Sequence, residues 1–547
     1  PAVFGGRTNL IVFFTMDLGV PVAIDSVVFF PPQSGFTEDN ERQRNAFPVG
    51  YEVTRTNQPV DWLIFADEAV SLGTPGYHPL DEVIGSTFSN NQSIVSLTPS
   101  PRFTRFLRFR FGGVQSTGML AEVKAFGRGY PQTATYVSRV HAFAEPVSLG
   151  RIEWKFTRYR ESPEGRIIAD PVAPVELAIE TRAGSDDDPL DHFIYDQLGV
   201  PVLVSRSDYE AAFTVTQVSE EGAPGFQARR EDDITNWDPW SVPYTASGEQ
   251  IRSTDGGAYL QFRFDITTTD PYAFGVLDSI AFEVSPLLAD SVLAEVSLAG
   301  APGRSGIPEV PIGVDTALVY DLRTVITGSR EGYDQIELEV PAGAHFGSLE
   351  IDGVLAVEGT DYTLAGEEQL FRILLQELVT RDARFRMHYR TAIYQSSMFL
   401  GGRLLNSGGT AGLLPQSIEA GDANPEVGSD AILIVAGEGT TGSVLGELNL
   451  AVPVVTPNGD GINDAASARF NLYAAASGEL RVAIYDLAGR RVRNLVAAVA
   501  VAGPYAPTWD GRGDDGRTVA PGVYVLRVEV SVDSGTHARS AAIAVAY

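Results

Sequence analysis

Apolar residues in this chain come in short runs rich in Val, Ile, Phe and Tyr, closed again and again by Gly, Pro, Asn or Asp. A long helix needs an apolar stripe recurring every three to four residues over at least about 10–12 residues, and such stripes are nearly absent. Strand-like runs with turn signals roughly every ten residues are instead the pattern of β-sandwiches and barrels. The 55 glycines and 33 prolines supply much of that punctuation. With 547 residues and roughly 100–200 residues per domain, about three to five units are expected. The expected fold class is all-β, a row of tandem β-sandwiches.

Charge narrows the partners. Asp and Glu outnumber Lys and Arg by 70 to 40, a formal net charge of −30. Such a polyanion repels nucleic-acid phosphates and anionic lipid, so neither is an expected partner. The cations are almost all arginine, with lysine only at Lys124 and Lys155. The absence of cysteine removes disulfides, thiolate metal sites and cysteine nucleophiles. No apolar run reaches the ~18 residues of a transmembrane helix. The chain starts at Pro1 without a preceding Met, and removal of a signal peptide during export is the expectation. These features together suggest a secreted protein of a bacterial surface.

Residues 1–130 form the first expected unit. Ile24 to Phe30 is an apolar run closed by Pro31-Pro32, and Tyr51 to Thr56 and Trp62 to Phe65 look like strands. In Arg102 to Phe111 the alternation sets Leu107, Phe109 and Phe111 inward and Arg108 and Arg110 outward. Ala121 to Phe126 closes the unit. The order Asp17-Leu18-Gly19, Tyr51-Glu52-Val53, Trp62, Arg105 to Phe111 and Glu122 to Gly127 resembles a discoidin (coagulation-factor C-type) domain. That resemblance implies a jelly roll with its ligand site in loops at one end. The candidate stretches here are Phe36 to Arg44 and Gly73 to His78, and no ligand residue is assigned in them.

Residues 131–295 form the second expected unit, with strands at Arg151 to Phe156, Val175 to Arg182, Phe213 to Val218, Tyr259 to Phe264 and Ile280 to Val284. In style it resembles the carbohydrate-binding-like jelly rolls of bacterial surface proteins. Residues 296–450 form the third. There Tyr333 to Val340 alternates as a half-buried strand, Leu349 to Gly353 ends in an Asp-Gly hairpin turn, and Arg384 to Tyr394 is a further strand. Residues 401–430, rich in Gly, Ser, Asn and Ala, read as a long loop or linker.

Residues 451–547 carry the most information. The strings TPNGDGIND (456–464), IYDLAGRRVR (484–493), WDGRGDDGR (509–517) and VAPGVYVLRV (519–528) follow one another here. They closely resemble the Ig-like domain of flagellar hook-capping proteins and the C-terminal domains of gliding-motility and type IX-secreted proteins. The resemblance implies an Ig-like sandwich that serves as a sorting or anchoring domain, or as a structural cap.

The candidate sites each have two readings. Asn458, Asp460 and Asp464 bring oxygen atoms close together in a glycine-punctuated loop, which suits Ca²⁺; Asx turns that cap a strand need the same residues. Trp237 and Trp240, flanking Asp238-Pro239, stack on sugar rings if exposed and pack a strand edge if buried. Gly437 to Gly442 spells GxGxxG, but no helix follows, so it reads as a turn rather than a dinucleotide site. Arg512-Gly513-Asp514 falls inside the last unit's own turn. The six histidines are scattered, with no HExxH, GxSxG or Walker A motif, and no catalytic residue is assigned. The leading reading is a non-catalytic structural or adhesive protein that pairs with copies of itself or with other surface proteins. Glycan binding through the tryptophans is one alternative. A hydrolase built from distant carboxylates is the other.

Overall fold

The computed structural model describes residues 2–3, 12–58, 79–111, 118–328, 330–367, 369–409, 412–437, 444–473, 478–533 and 535–546. The expected strand Trp62–Phe65, the stretch Gly73–His78 and most of the Gly437–Gly442 turn lie outside them. Among the described residues strands account for 55% and helix for 2%, which makes the fold all-β. Among the described residues no helix is long and apolar enough to cross a membrane. The chain divides into two compact units, residues 1–144 with 150–283, and residues 145–149 with 284–547.

The first unit opens with a four-stranded sheet in the order Val12–Ile24, Arg102–Phe111, Tyr51–Thr56, Glu82–Thr87. A three-stranded sheet of Val95–Leu97, Ser26–Phe30 and Glu122–Phe126 packs on it. Leu107, Phe109 and Phe111 point into the space between them, as their alternation requires, against Val27 and Phe29. The Phe29 ring meets Phe109 edge-on at 5.9 Å and Tyr51 at 5.1 Å. Each such ring contributes roughly 1.5–3 kcal/mol by leaving water. Gly127 ends the closing strand where nothing larger fits, since a Cβ there would lie 1.6 Å from the Ala23 carbonyl oxygen.

Arg108 departs from expectation. It points away from the core, yet it is only 1% exposed. Its Nε donates to Thr15 Oγ1 at 2.8 Å, and its guanidinium lies 5.8 Å from the Phe13 ring. The strand is therefore buried on both faces, which alternation alone does not reveal.

The second sandwich places Thr133–Val137, His141–Ala142 and Val175–Gly184 against Tyr259–Thr268. The long strand Val147–Glu161 pairs with Ile167–Ala169, Glu249–Gln250 and Ala273–Pro286 in the other sheet. Tyr130 joins the two sandwiches of this unit, its ring 4.1 Å from that of Phe274 and its N–H donating to the Pro271 carbonyl at 2.8 Å. Between 185 and 233 the chain leaves the sandwich to build a small sheet from Leu190–Tyr195, Pro201–Val204 and Gln227–Asp232, with a short helix Arg206–Ala211. The expected strand Phe213–Val218 does not form here. Phe213 is exposed and makes only an isolated bridge to Phe226. The Glu220 carboxylate instead takes the N–H groups of Thr216 (2.7 Å) and Gln217 (3.0 Å), turning the chain into a 3₁₀ turn.

In the second unit a six-stranded sheet runs Val354–Leu355, His345–Ile351, Ala383–Thr391, Thr316–Val325, Ser291–Leu298, Glu419–Ala420. It faces a five-stranded sheet of Tyr362–Glu367, Leu370–Val379, Tyr333–Glu339, Gly402–Leu405 and Gln416–Ser417. The 295/296 boundary drawn from sequence falls inside the strand Ser291–Leu298. The hairpin turn at Asp352-Gly353 forms with φ of +51° and +80°, the left-handed pair that a two-residue turn needs. The last sandwich sets the sheet of Val454–Val455, Gly535–Val545, Gly522–Val532, Gly478–Asp486 and Arg491–Ala500 against Ala466–Leu472 and its short partners. Phe470, Leu480, Val482, Trp509 and Leu526 fill its core.

Residues 401–430 are not a linker. They supply three of the strands named above and bury Leu404, Gln416, Ile418 and Ala423. Gln416 explains why: its Oε1 accepts the N–H groups of Leu288 (2.8 Å) and Ala289 (2.9 Å), and its Nε2 donates to the Ala289 carbonyl at 2.9 Å. One amide thus satisfies three buried backbone groups. Gln416→Ala should lower the stability of this unit by about 2–4 kcal/mol, since each buried group left unpaired costs ~1–3 kcal/mol. Denaturant unfolding measures the loss, and amide exchange at Leu288 and Ala289 should accelerate with it.

Candidate functional site

In the last sandwich the segment Thr456 to Asp464 does gather Asn458, Asp460 and Asp464. Asp464 accepts the N–H of Gly459 on Oδ1 and that of Gly461 on Oδ2, both at 2.7 Å. Asp460 Oδ1 accepts the Ile462 N–H at 2.8 Å, and its Oδ2 takes Asn458 Nδ2 at 3.0 Å. Asn458 Oδ1 accepts the Asp460 N–H at 3.1 Å. Gly459, Gly461 and Asn463 hold φ of +82°, +83° and +55°, a conformation open to glycine and tolerated by asparagine. Every carboxylate oxygen in the loop therefore already serves a donor of the loop itself. This donor set fits a self-closed turn better than a cage for a hard cation, which needs six to eight oxygens aimed at one point. Among the described residues no group of three or more His, Asp or Glu side chains is placed to hold a metal ion.

The neighbouring turns follow the same rule. Trp509 is buried and its Nε1 donates to the Arg512 carbonyl at 2.8 Å. The Gly513 N–H donates to the Arg517 carbonyl, and Asp514 Oδ1 accepts the Asn494 N–H at 3.0 Å. Arg512-Gly513-Asp514 is thus part of the turn that seats Trp509. Asp486 accepts the N–H groups of Ala488 and Arg490 and the Arg490 guanidinium, which hold its carboxyl below the usual range. These turns border an open cleft of ≈ 450 Å³ lined by Arg490, Arg491, Arg517, Asp486, Asp514 and Asp515, among others.

In the second sandwich Trp237 and Trp240 lie on the segment that runs back beside Val175–Gly184. Trp237 is 3% exposed, and its Nε1 donates to Asp186 Oδ1 at 3.0 Å. It packs flat on Gly184, where a Cβ would come within 2.3 Å of the indole. It presents no face to a ligand, which matches the buried one of the two readings open to it in the sequence. Trp240 is half-buried, with the guanidinium groups of Arg182 and Arg263 4.4 and 4.9 Å from its ring. Those cations occupy ring surface that a sugar would stack on. Arg182 is itself buried, bonded to Gln261 Oε1 at 2.9 Å and Asp232 Oδ1 at 2.8 Å, and Arg263 pairs with Glu180. Neither arginine stood out in the sequence; their only signal is their place in the outward phase of otherwise apolar strands.

Other charged groups are also spent on structure. Glu337 lies between Arg372 and Arg403 at 2.8 and 2.6 Å, three neighbouring strands contributing one residue each. Burial would raise its carboxyl, but the two guanidinium groups hold it below the usual range. His192 Nε2 stands 2.9 Å from Asp188 Oδ2, which also binds the Arg206 guanidinium. The other ring nitrogen, Nδ1, which a nucleophile would have to reach, is buried with no hydrogen-bond partner.

With this geometry in place, comparison with known proteins defines the class of the last sandwich. The family model of the FlgD Ig-like domain matches residues 459–534, which supports an Ig-like C-terminal domain. No curated protein matches the chain. Among solved structures it is similar to dimeric latent PorU from Porphyromonas gingivalis, at 13% identity and a TM-score of 0.17, over 78% of this chain and 35% of that one. It is also similar to the 35 kDa C-terminal fragment of the major pilin GBS80 of Streptococcus agalactiae, at 10% identity and a TM-score of 0.19, over 46% and 90% of the two chains. A third is BcpA, the major pilin subunit of Bacillus cereus, at 8% identity and a TM-score of 0.19, over 68% and 96%. The chain spans about a third of the length of PorU. At these TM-scores the superpositions carry no argument about function.

Asp464→Ala should destabilise the last sandwich by about 1 kcal/mol, since the two N–H groups it releases are exposed and can turn to water. The loss measured by denaturant unfolding should be the same in excess Ca²⁺ and in EDTA; a loss confined to Ca²⁺ would assign the loop to the cation. Trp237→Ala should cost about 3–5 kcal/mol, the range for emptying a buried aromatic site. Trp240→Ala, at a half-buried ring, should cost clearly less in the same measurement.

Proposed function

We propose that this chain is a non-catalytic structural or adhesive protein of a bacterial surface, associating with copies of itself or with other surface proteins. The observation that carries this reading is the last sandwich. Residues 459–534 match the FlgD Ig-like domain, and the loops there that resemble ligand sites are closed by their own hydrogen bonds. Its resemblance to the C-terminal domains of type IX-secreted proteins supports a sorting or anchoring role. The discoidin-like order of motifs in the first sandwich supports a contact module at the other end of the sequence. The ion pairs of the buried Glu337 and Arg182 support rigid spacers rather than a reacting cleft, because each buried charge is already engaged by a more exposed partner. Unpaired strand edges offer one route to association, through main-chain hydrogen bonds between copies.

Size-exclusion chromatography with light scattering over rising concentration, with negative-stain imaging, tests the proposal. Ordered oligomers, fibres or sheets of the full chain are the expected result, unaffected by EDTA. A monomer at every concentration, combined with hits on a glycan array that Trp240→Ala abolishes, would replace this reading with carbohydrate binding.

A further inference from the structure

Glu295 stands in the strand Ser291–Leu298 of the third sandwich. Its neighbours Ala294 and Val296 point into the core, so strand alternation sends Glu295 to the opposite face. That face is not open to water, and Glu295 is 0% exposed. The segment 419–431 closes it. Glu419 and Ala420 pair in parallel with Leu293 and Ala294. The Gly421 N–H donates to the Ala294 carbonyl at 3.0 Å, and the Val296 N–H donates to the Ala431 carbonyl at 2.8 Å. Between these two anchors Ala423, Val427 and Ser429 are buried.

The segment holds Glu295 by one oxygen only. Oε1 accepts the N–H groups of Ala423 at 3.1 Å and Asn424 at 2.6 Å. Oε2 is buried without a hydrogen-bond partner. The charged groups around it are mostly acidic, and none of them pairs with it. From Thr316–Val325, Asp321 lies directly across in register and Arg323 two residues further on. Arg386, from Ala383–Thr391, is committed to Asp321 at 3.0 Å. The covering segment brings four acids, Glu419, Asp422, Glu426 and Asp430, and its Asn424 Nδ2 donates to Asp321 Oδ1 at 3.1 Å. The strand of Glu295 itself adds no other titratable side chain. Among the described residues no ion pair to Glu295 forms.

We propose that residues 419–431 are a pH-dependent strap, closed over Glu295 while its carboxyl keeps its proton and loosened from the sheet when that proton passes to bulk water. Burial, helped by the charges of Asp321 and Asp422 and opposed by the two N–H donors, pushes the Glu295 carboxyl up from 4.5 to about 7. Once the strap lifts, water reaches the carboxylate and its ordinary acidity returns. A group whose pKa is raised in the closed state favours closure fully below its open-state pKa, and that preference fades as pH rises through the closed-state value. Closure is therefore favoured near pH 5 and weakens toward pH 8. Opening also uncovers the edge of Ser291–Leu298 that Glu419 and Ala420 occupy.

Amide exchange of the full chain, followed by mass spectrometry and corrected for intrinsic rates, tests the strap. Protection of 419–431 should fall by roughly tenfold or more between pH 5 and pH 8, while the strand Leu370–Val379 of the facing sheet keeps its protection. Glu295→Gln, neutral and similar in shape, should keep the strap protected at pH 8 and remove the pH dependence. Asp422→Asn, an exposed change on the strap, should move the midpoint to lower pH in a chain that keeps Glu295. Protection that is flat with pH in the native chain overturns the proposal. So does the native pH profile persisting in Glu295→Gln, or a midpoint that Asp422→Asn leaves unmoved.

Discussion

Covering both faces of a strand forces its outward side chains to be satisfied inside the protein. Taking a charge out of water costs several kcal/mol unless a partner and further hydrogen bonds replace the lost solvation. Asp321 meets this with Arg386 and Asn424. Arg182 uses Gln261 and Asp232, and Glu337 uses two arginines. A planar guanidinium can serve two acceptors at once, which a lysine ammonium does less well. That requirement fits a chain that carries its basic charge almost wholly as arginine, with lysine only at 124 and 155.

Glu295 shows what happens when the rule is not met. It sits on a covered face like Asp321 and Glu337, but it forms no ion pair among the described residues, and Arg386, in register beyond Asp321, is used by Asp321. Its solvation is replaced by two backbone donors on one oxygen, and its carboxyl is pushed up to about 7. Losing its proton under the closed segment would leave an anion buried there, which is the state that the proposed opening avoids. The covering segment that causes this is held to the sheet by backbone hydrogen bonds at Gly421 and Ala431 and to the chain beside it at Gly428, so its opening is a local event that need not unfold the sandwich.

The Ig-like sandwich manages its acidic residues locally instead. Asp460, Asp464, Asp486, Asp514 and Asp515 each accept N–H groups within or beside their own turns. This is why motifs dense in Asp and Gly form turns here, and why they do not by themselves mark a metal centre. Trp509 anchors the same region from below, through its packing on Tyr524 and its bond to the Arg512 carbonyl. Function, on this reading, belongs to surfaces and edges of rigid sandwiches rather than to a pocket of reactive groups.

Local pattern determined much of the fold. The alternation in Arg102–Phe111 and Tyr333–Glu339, the left-handed turn at Asp352-Gly353 and the last sandwich's motifs could be read directly, because each depends on neighbours in sequence. Tertiary structure decided what covers the outward faces. Arg108 is buried on the outward side of its strand, Trp237 against Gly184, and Glu295 under a segment 128 positions away in the chain that looked like a linker. Composition could not show this, because Gly, Ser and Asn are equally at home in a free loop and in a segment laid flat on a sheet. The difference is made by single side chains such as Gln416, whose hydrogen bonds reach partners 127 and 128 positions distant.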